Sequence, residues 1–258
     1  MNKSGAGWPM ANYIEAWKAF RCQGNEPEAT ASHILAQPLW PKHGDLRILD
    51  IGCGDGHMLE AFLLKLGSMI SKVYLLDPEE WILSEAVKQI EGILPNFKIF
   101  TQVGTADEEG LDFTRHVDVG LAIHIVYLMS HSRFRRLINH WHSRIPLFVV
   151  LDAPDSVFSQ LWNMTAQDYA VRSAKVHNYF ENEKNSQLTI QRTDFFTHVT
   201  NPFTLSSPRK ELVLSLLCYC RYEDLSEDVK KKVYRVITDH SEAEIIKCNC
   251  SCYEMIRR

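Results

Sequence analysis

Apolar positions along the chain change period in a regular alternation. Ile48, Leu49 and Ile51 form a short apolar run of strand type, while Met58-Leu59, Phe62-Leu63 and Leu66 recur with the spacing of one helix face. The change then repeats. Val73 to Asp77 reads as a second strand, Pro78 to Gln89 as a helix carrying Trp81, Ile82 and Val87, and Phe97 to Val103 as a third strand. Val117 to Ile125 reads as a fourth strand, Phe134 to Ile145 as an amphipathic helix and Leu147 to Leu151 as a fifth strand. This alternation predicts a doubly wound, mostly parallel α/β sheet, in which ligands lie at the carboxyl ends of the strands. Gly52, Asp77, Thr105 and His124 all fall at such ends.

The flanks read differently. Tyr13, Trp17 and Phe20, with Ile14, share one helical stripe that Gly24-Asn25 ends. A short helix from Ala29 to Leu35 follows before Pro38 and Pro41. The stripe suits packing against a sheet edge, or the wall of a pocket. After Asp155 the alternation stops. Phe158, Leu161 and Trp162 suggest a helix, and Asn163 to Asn185 is polar with helical stretches. Leu188 to Val199 suits a strand, Glu211 to Leu225 an apolar helix, Glu227 to Ile237 a charged helix and Ile245 to Ile256 a last strand. With no repeat or clear linker, the expectation is one domain: a helical segment at 1–44, a ligand-binding core at 45–154 and added helices and strands at 155–258.

Composition narrows the partners. The chain has 258 residues, 45% hydrophobic and 23% charged, enough for a sizeable core. A net charge of −4 without any basic run argues against nucleic acid. No apolar run of about 18 residues and no basic-then-apolar start are present, so neither a membrane span nor a secretory signal is expected. Seven cysteines without a C-x-x-C pair read as free thiols in a reducing compartment, the cytoplasm. Cys248, Cys250 and Cys252 alternate along one strand face, too spread for one tetrahedral ion, so they read as small hydrophobes and no metal is expected.

The most informative stretch runs from Arg47 to His57, where a strand breaks into glycines at alternate positions before a helix. Such a turn lets a ligand approach bare backbone and aims helix N–H groups at an anion. The dinucleotide fingerprint would need a third glycine where His57 stands. The pattern present, Asp50-x-Gly52-x-Gly54-x-Gly56, resembles instead the signature of S-adenosylmethionine (SAM) enzymes. That resemblance implies that Asp50 partners the SAM ammonium. Asp77, about 20 positions on at a strand end, is placed to hold the ribose hydroxyls. A merely structural tight turn is the competing reading.

With these pieces placed, the chain resembles the histamine N-methyltransferase family along nearly its whole length. Tyr13-Ile14-Glu15-Ala16-Trp17-Lys18-Ala19-Phe20 is similar to that family's opening helix, Asp77-Pro78 to its ribose-binding pair, and Ile123-His124-Ile125-Val126-Tyr127 to its segment after the fourth strand. The resemblance implies a seven-stranded SAM-methyltransferase sheet closed by an antiparallel hairpin. It implies SAM held by Asp50, Gly52, Cys53, Gly54, Asp77, Pro78, Thr105, Ala106 and Ile123. It implies a small-molecule acceptor, held by a monomer through Tyr13, Trp17, Phe20, Glu26, His124, Tyr127, Trp162 and Asn249. The chain departs from the family at His124, where a glutamine is usual, and in the aromatic lining at Leu128 and Phe158.

Methyl transfer from a sulfonium is an in-line displacement that needs positioning above all. The attacking atom must be unprotonated. An imidazole is largely neutral at pH 7, whereas an alkyl amine must lose a proton, which His124 could take. Glu26 would anchor an ammonium by a charge-assisted hydrogen bond, and the aromatic residues would hold a flat or cationic group. The expected activity is N-methylation of a small amine or imidazole, with His124 and Glu26 in the catalytic roles. The alternatives are an O-methyltransferase using His124 as base, or a non-catalytic SAM-binding protein. The latter would tend to have lost Gly52, Gly54 or Asp77. A nucleic-acid amino-methyltransferase would carry Asn/Asp-Pro-Pro-aromatic where this chain has His124-Ile125-Val126-Tyr127.

Overall fold

The computed structural model describes residues 10–95, 98–106, 116–142, 144–183 and 187–257, with side chains from residue 14 onward. Two compact units emerge. The larger, the sheet unit, comprises Pro27–Leu151, Asn178–Thr193 and Ser251–Arg258. The other comprises Met1–Glu26, Asp152–His177 and Asp194–Cys250.

In the sheet unit the strands are β1 (Leu46–Ile51), β2 (Ile70–Asp77), β3 (Lys98–Val103), β4 (Val119–Ile123) and β5 (Leu147–Asp152). They lie parallel in the order β3-β2-β1-β4-β5, with Asp50 beside Leu75 on one side and Leu121 on the other. The order continues through β8 (Ile245–Arg257) to β6 (Leu188–Thr200). Seven strands among the described residues thus form the path, as the resemblance implies, and the first five are parallel, as the alternation predicts. An eighth, the two-residue β7 (Ser241–Glu242), pairs antiparallel with the start of β8.

The central strands are apolar on both faces, and every residue of β4 and β5 is buried. Helices α3 (His57–Leu66) and α4 (Glu80–Ile93) bury Leu59, Phe62 and Leu63, and Leu83, Ala86 and Ile90. Trp40 packs against Phe62 and Phe148, each ring centroid 5.8 Å away. Gly120 has no side chain because Trp141 lies there: an added Cβ would come within 2.2 Å of the indole. Arg47 and Asp118 join the starts of β1 and β4 by a two-pronged ion pair at 2.7 and 3.0 Å. Edge strand β3 is largely exposed.

Helix α5 occupies His131–His140, earlier than the apolar spacing suggests. Ser130 caps it by accepting Arg133 N–H at 3.3 Å, and the Trp141 indole closes its end on the Ile145 carbonyl at 2.8 Å.

In the second unit, α1 (Met10–Arg21), α6 (Val157–Thr165), α8 (Arg209–Cys218) and α9 (Glu227–Asp239) enclose a core that includes Ala16, Phe20, Leu161, Leu214, Leu217, Val233 and Ile237. Helix α8 ends seven residues before the expected Leu225. Tyr219 adopts the left-handed conformation at φ 52°, and its buried ring meets Tyr169 at 4.1 Å. Ring burial redirects the chain where apolar periodicity alone continues the helix. Helices α2 (Glu26–Leu35) and α7 (Gln167–Asn182) each carry the chain from one unit into the other.

Gly24 does more than end α1. It bridges Val199, and Thr200 N–H reaches the Gln23 carbonyl at 2.7 Å, so the segment after α1 extends alongside β6. A Cβ on Gly24 would lie 2.3 Å from the His198 carbonyl oxygen.

Candidate functional site

The turn after β1 hangs from the end of β2. Gly52 and Cys53 donate their N–H groups to the Leu76 carbonyl at 2.7 and 3.3 Å, and Gly56 N–H closes onto the Cys53 carbonyl at 3.0 Å. Gly52, Gly54 and Gly56 have φ of 67°, 53° and 82°, where any side chain is strained. Their surroundings differ. A Cβ on Gly52 would fall 1.6 Å from Ile125 Cδ1, and one on Gly56 3.1 Å from the backbone of Ala86 in α4. A Cβ on Gly54 would meet nothing within 4 Å. Only Gly54, then, has the open space that a ligand approaching bare backbone requires.

Asp77, at the end of β2, is buried. Its Oδ2 accepts Gly54 N–H at 3.1 Å and its Oδ1 accepts Glu79 N–H at 3.0 Å. Burial pushes this carboxyl up, opposed by those two N–H groups. A carboxylate has about four acceptor sites, so two are left for further donors.

Asp50 is only 3% exposed, and its Oδ2 is buried without a hydrogen-bond partner. Burial, then the charge of Asp77, pushes its carboxyl up to about 7. An unsatisfied buried carboxylate is costly, of order 1–3 kcal/mol or more. A cationic group beside Asp50 would relieve that cost. Both acids act on Cys53, its thiol pushed up by burial and then by Asp50 and Asp77, so it stays protonated. Among the described residues, the charged groups acting on these three side chains are Asp50, Asp55, Asp77 and Glu79, all acids.

Beyond β3, Gly104 N–H bonds to the Asp77 carbonyl at 3.1 Å, which brings half-buried Thr105 and buried Ala106 beside the same strand end. Pro78 is exposed. Ile123 ends β4, and His124 follows in the left-handed region at φ 53°, its N–H held by the Val150 carbonyl at 2.8 Å. That conformation costs a non-glycine residue of order 1–2 kcal/mol. The ring of His124 lies 6.3 Å from that of buried Tyr127.

All the residues expected to hold a cofactor thus fall in the sheet unit, together with His124 and Tyr127. The remaining acceptor candidates fall in the second unit. Trp17 stacks on Phe20 at 5.9 Å, Phe20 meets Phe158 at 5.7 Å, Phe158 meets Trp162 at 5.8 Å and Trp162 meets Tyr219 at 5.9 Å. Phe20 and Trp162 are buried within this string, whereas Trp17 and Phe158 keep partly exposed surface. The Tyr13 side chain lies outside the described residues, as does Asp107 after β3.

Glu26 begins α2. Burial, then the charge of Asp152, then that of Glu26, pushes up the thiols of Cys248 and Cys250. Asn249 donates its amide to Asp155 Oδ2 at 3.3 Å. Sequence reasoning passes over Asp152 and Asp155. Asp152 was discoverable, since it ends an apolar strand as Asp77 does, and it is 3% exposed. Among the described residues no group of three or more His, Cys, Asp or Glu is arranged to hold a metal ion, and no helix is long and apolar enough to cross a membrane.

No family model matches the chain, and no curated protein matches it. Solved structures do share its fold. The YcgJ protein of Bacillus subtilis aligns at 15% identity with a TM-score of 0.51, over 84% of this chain and 94% of its own. A candidate methyltransferase of Bacillus halodurans aligns at 14% identity and 0.52, over 90% and 97%. A SAM-dependent methyltransferase of Leishmania major aligns at 14% identity and 0.50, over 89% and 71%. The chain has the α/β fold of SAM-dependent methyltransferases.

Proposed function

We propose that this chain is a SAM-dependent methyltransferase. The observation that carries the reading is Asp50, a buried carboxylate whose Oδ2 has no hydrogen-bond partner, beside a glycine turn whose backbone is open at Gly54. An ammonium suits it. Asp77 has acceptor sites left for two ribose hydroxyls while it braces Gly54. The acids around the turn would repel a pyrophosphate, which disfavours NAD and ATP. SAM, when bound, supplies a methyl group on a sulfonium. Calorimetry with SAM, NAD and ATP tests this: SAM alone should bind, and binding of NAD or ATP without SAM would overturn the reading.

For the acceptor, the reading is a small cationic amine or an imidazole, methylated on nitrogen by a monomeric enzyme. Glu26 and Asn249 support it as the groups that would grip an ammonium, and Trp17 and Phe158 as partly exposed aromatic surface. Asp152, a buried acid acting with half-buried Glu26 on the same two thiols, adds negative charge to that neighbourhood. His124 would take the proton of an alkyl ammonium before attack. The test is methyl uptake from labelled SAM across a panel of biogenic amines, imidazoles, phenols and carboxylic acids. Acceptors confined to phenols or acids would transfer the reading to O-methylation, with His124 as base.

A further inference from the structure

Sequence reasoning explains Gly52 by ligand approach, but its missing Cβ leaves room for Ile125. Cδ1, Cγ1 and Cβ of Ile125 would lie 1.6, 2.7 and 3.1 Å from a Gly52 Cβ. Ile125 has little freedom to retreat. The residue before it, His124, is pinned by its N–H to the Val150 carbonyl at 2.8 Å, and the Ile125 carbonyl accepts Leu128 N–H at 2.8 Å. A short 3-10 turn, Val126–Leu128, follows with Val126 and Tyr127 buried. The β-branched side chain is itself stiff about its first torsion. Gly52 is equally fixed, its N–H held by the Leu76 carbonyl at 2.7 Å. A strained conformation such as that of His124 persists only where the surroundings over-determine it.

We propose that Ile125 is a positioning residue: seated on Gly52, it holds the turn after β1 and the left-handed His124 backbone as one unit, and so sets the direction of the His124 imidazole. The role of the imidazole rests on the methyltransferase reading; the lock itself does not. Removing the Ile125 side chain would free two elements that the chain separates by more than 70 residues but the fold joins.

The test is a four-protein cycle of wild type, Gly52→Ala, Ile125→Ala and the double variant, read by thermal unfolding and by SAM calorimetry. Gly52→Ala should unfold the protein or weaken SAM at least a hundredfold. The double variant should melt above Gly52→Ala and recover at least tenfold of the lost affinity, since the clash is gone. A double variant as impaired as Gly52→Ala overturns the proposal, because the glycine would then serve the ligand or its own φ of 67° and not Ile125. If wild type binds no SAM, the methyltransferase reading falls, and the melting cycle still decides the lock. For the imidazole, histidine-labelled protein is followed by NMR, with the His124 signal identified through His124→Asn. Ile125→Ala should shift that signal and Ile125→Val should restore it. An unmoved signal in Ile125→Ala also overturns the proposal.

Discussion

Replacing Asp50 by Asn should make the ligand-free protein more stable relative to wild type as pH rises, while it weakens SAM binding. Asn keeps the shape of a side chain that is 3% exposed and removes its charge. Burial and the neighbouring Asp77 raise the Asp50 carboxyl from 3.8 in the unfolded chain to about 7 in the folded protein. Below pH 3.8 both states hold the proton, and the residue exerts no pH-dependent effect. Between 3.8 and 7 the unfolded chain releases it first, so wild type loses stability as pH rises, by about 1.4 kcal/mol per pH unit. From pH 5 to pH 8 that amounts to about 3 kcal/mol, which the Asn variant does not lose. The unmet hydrogen bonds of a buried Asn shift its stability by an amount that does not vary with pH, so the change in the gap isolates the carboxyl. The assay is urea unfolding of both proteins at pH 5 and pH 8, with SAM calorimetry alongside. The affinity should fall one to two decades, the scale of a charge-assisted hydrogen bond of about 1.5–3 kcal/mol. A stability gap that stays constant or narrows toward pH 8 refutes the reasoning.

Asp77→Ala should weaken SAM by about 1–3 kcal/mol, because it leaves ribose hydroxyls unpaired and releases Gly54 N–H; unchanged affinity by calorimetry would count against Asp77 as the ribose acid. Gly54→Val has room for its Cβ, with nothing within 4 Å, but strains a backbone at φ 53°, so it should melt below wild type and lose SAM binding. Normal SAM affinity in that variant would show that the ligand does not approach the turn. Glu26→Gln should lower kcat/KM for the acceptor by one to two decades through KM, equivalent to about 1.5–3 kcal/mol, and leave SAM affinity nearly intact. Wild-type kinetics would remove Glu26 from the acceptor site.

Much of this protein is legible in the linear chain because strand and helix periods are local properties. The runs from Ile48, Val73, Val117 and Leu147 mark β1, β2, β4 and β5, and the apolar spacing after Gly56 marks α3. The acid-glycine turn and the strand-end Asp77 are equally local, and they lead to the observed fold. Tertiary structure decided the rest. The last strand lies inside the sheet, between β5 and β6, and most of it is buried, which no local period distinguishes from a strand at an edge. Three alternate glycines look equivalent in sequence, yet Ile125 requires Gly52, Ala86 requires Gly56, and only Gly54 is open. Asp50 and Asp77 read as two ordinary acids until parallel pairing of β1 with β2 buries them, which raises both, and sets the charge of Asp77 against Asp50. Periodicity reports which neighbours along the chain share a face; desolvation, steric exclusion and charge coupling arise only when distant segments meet.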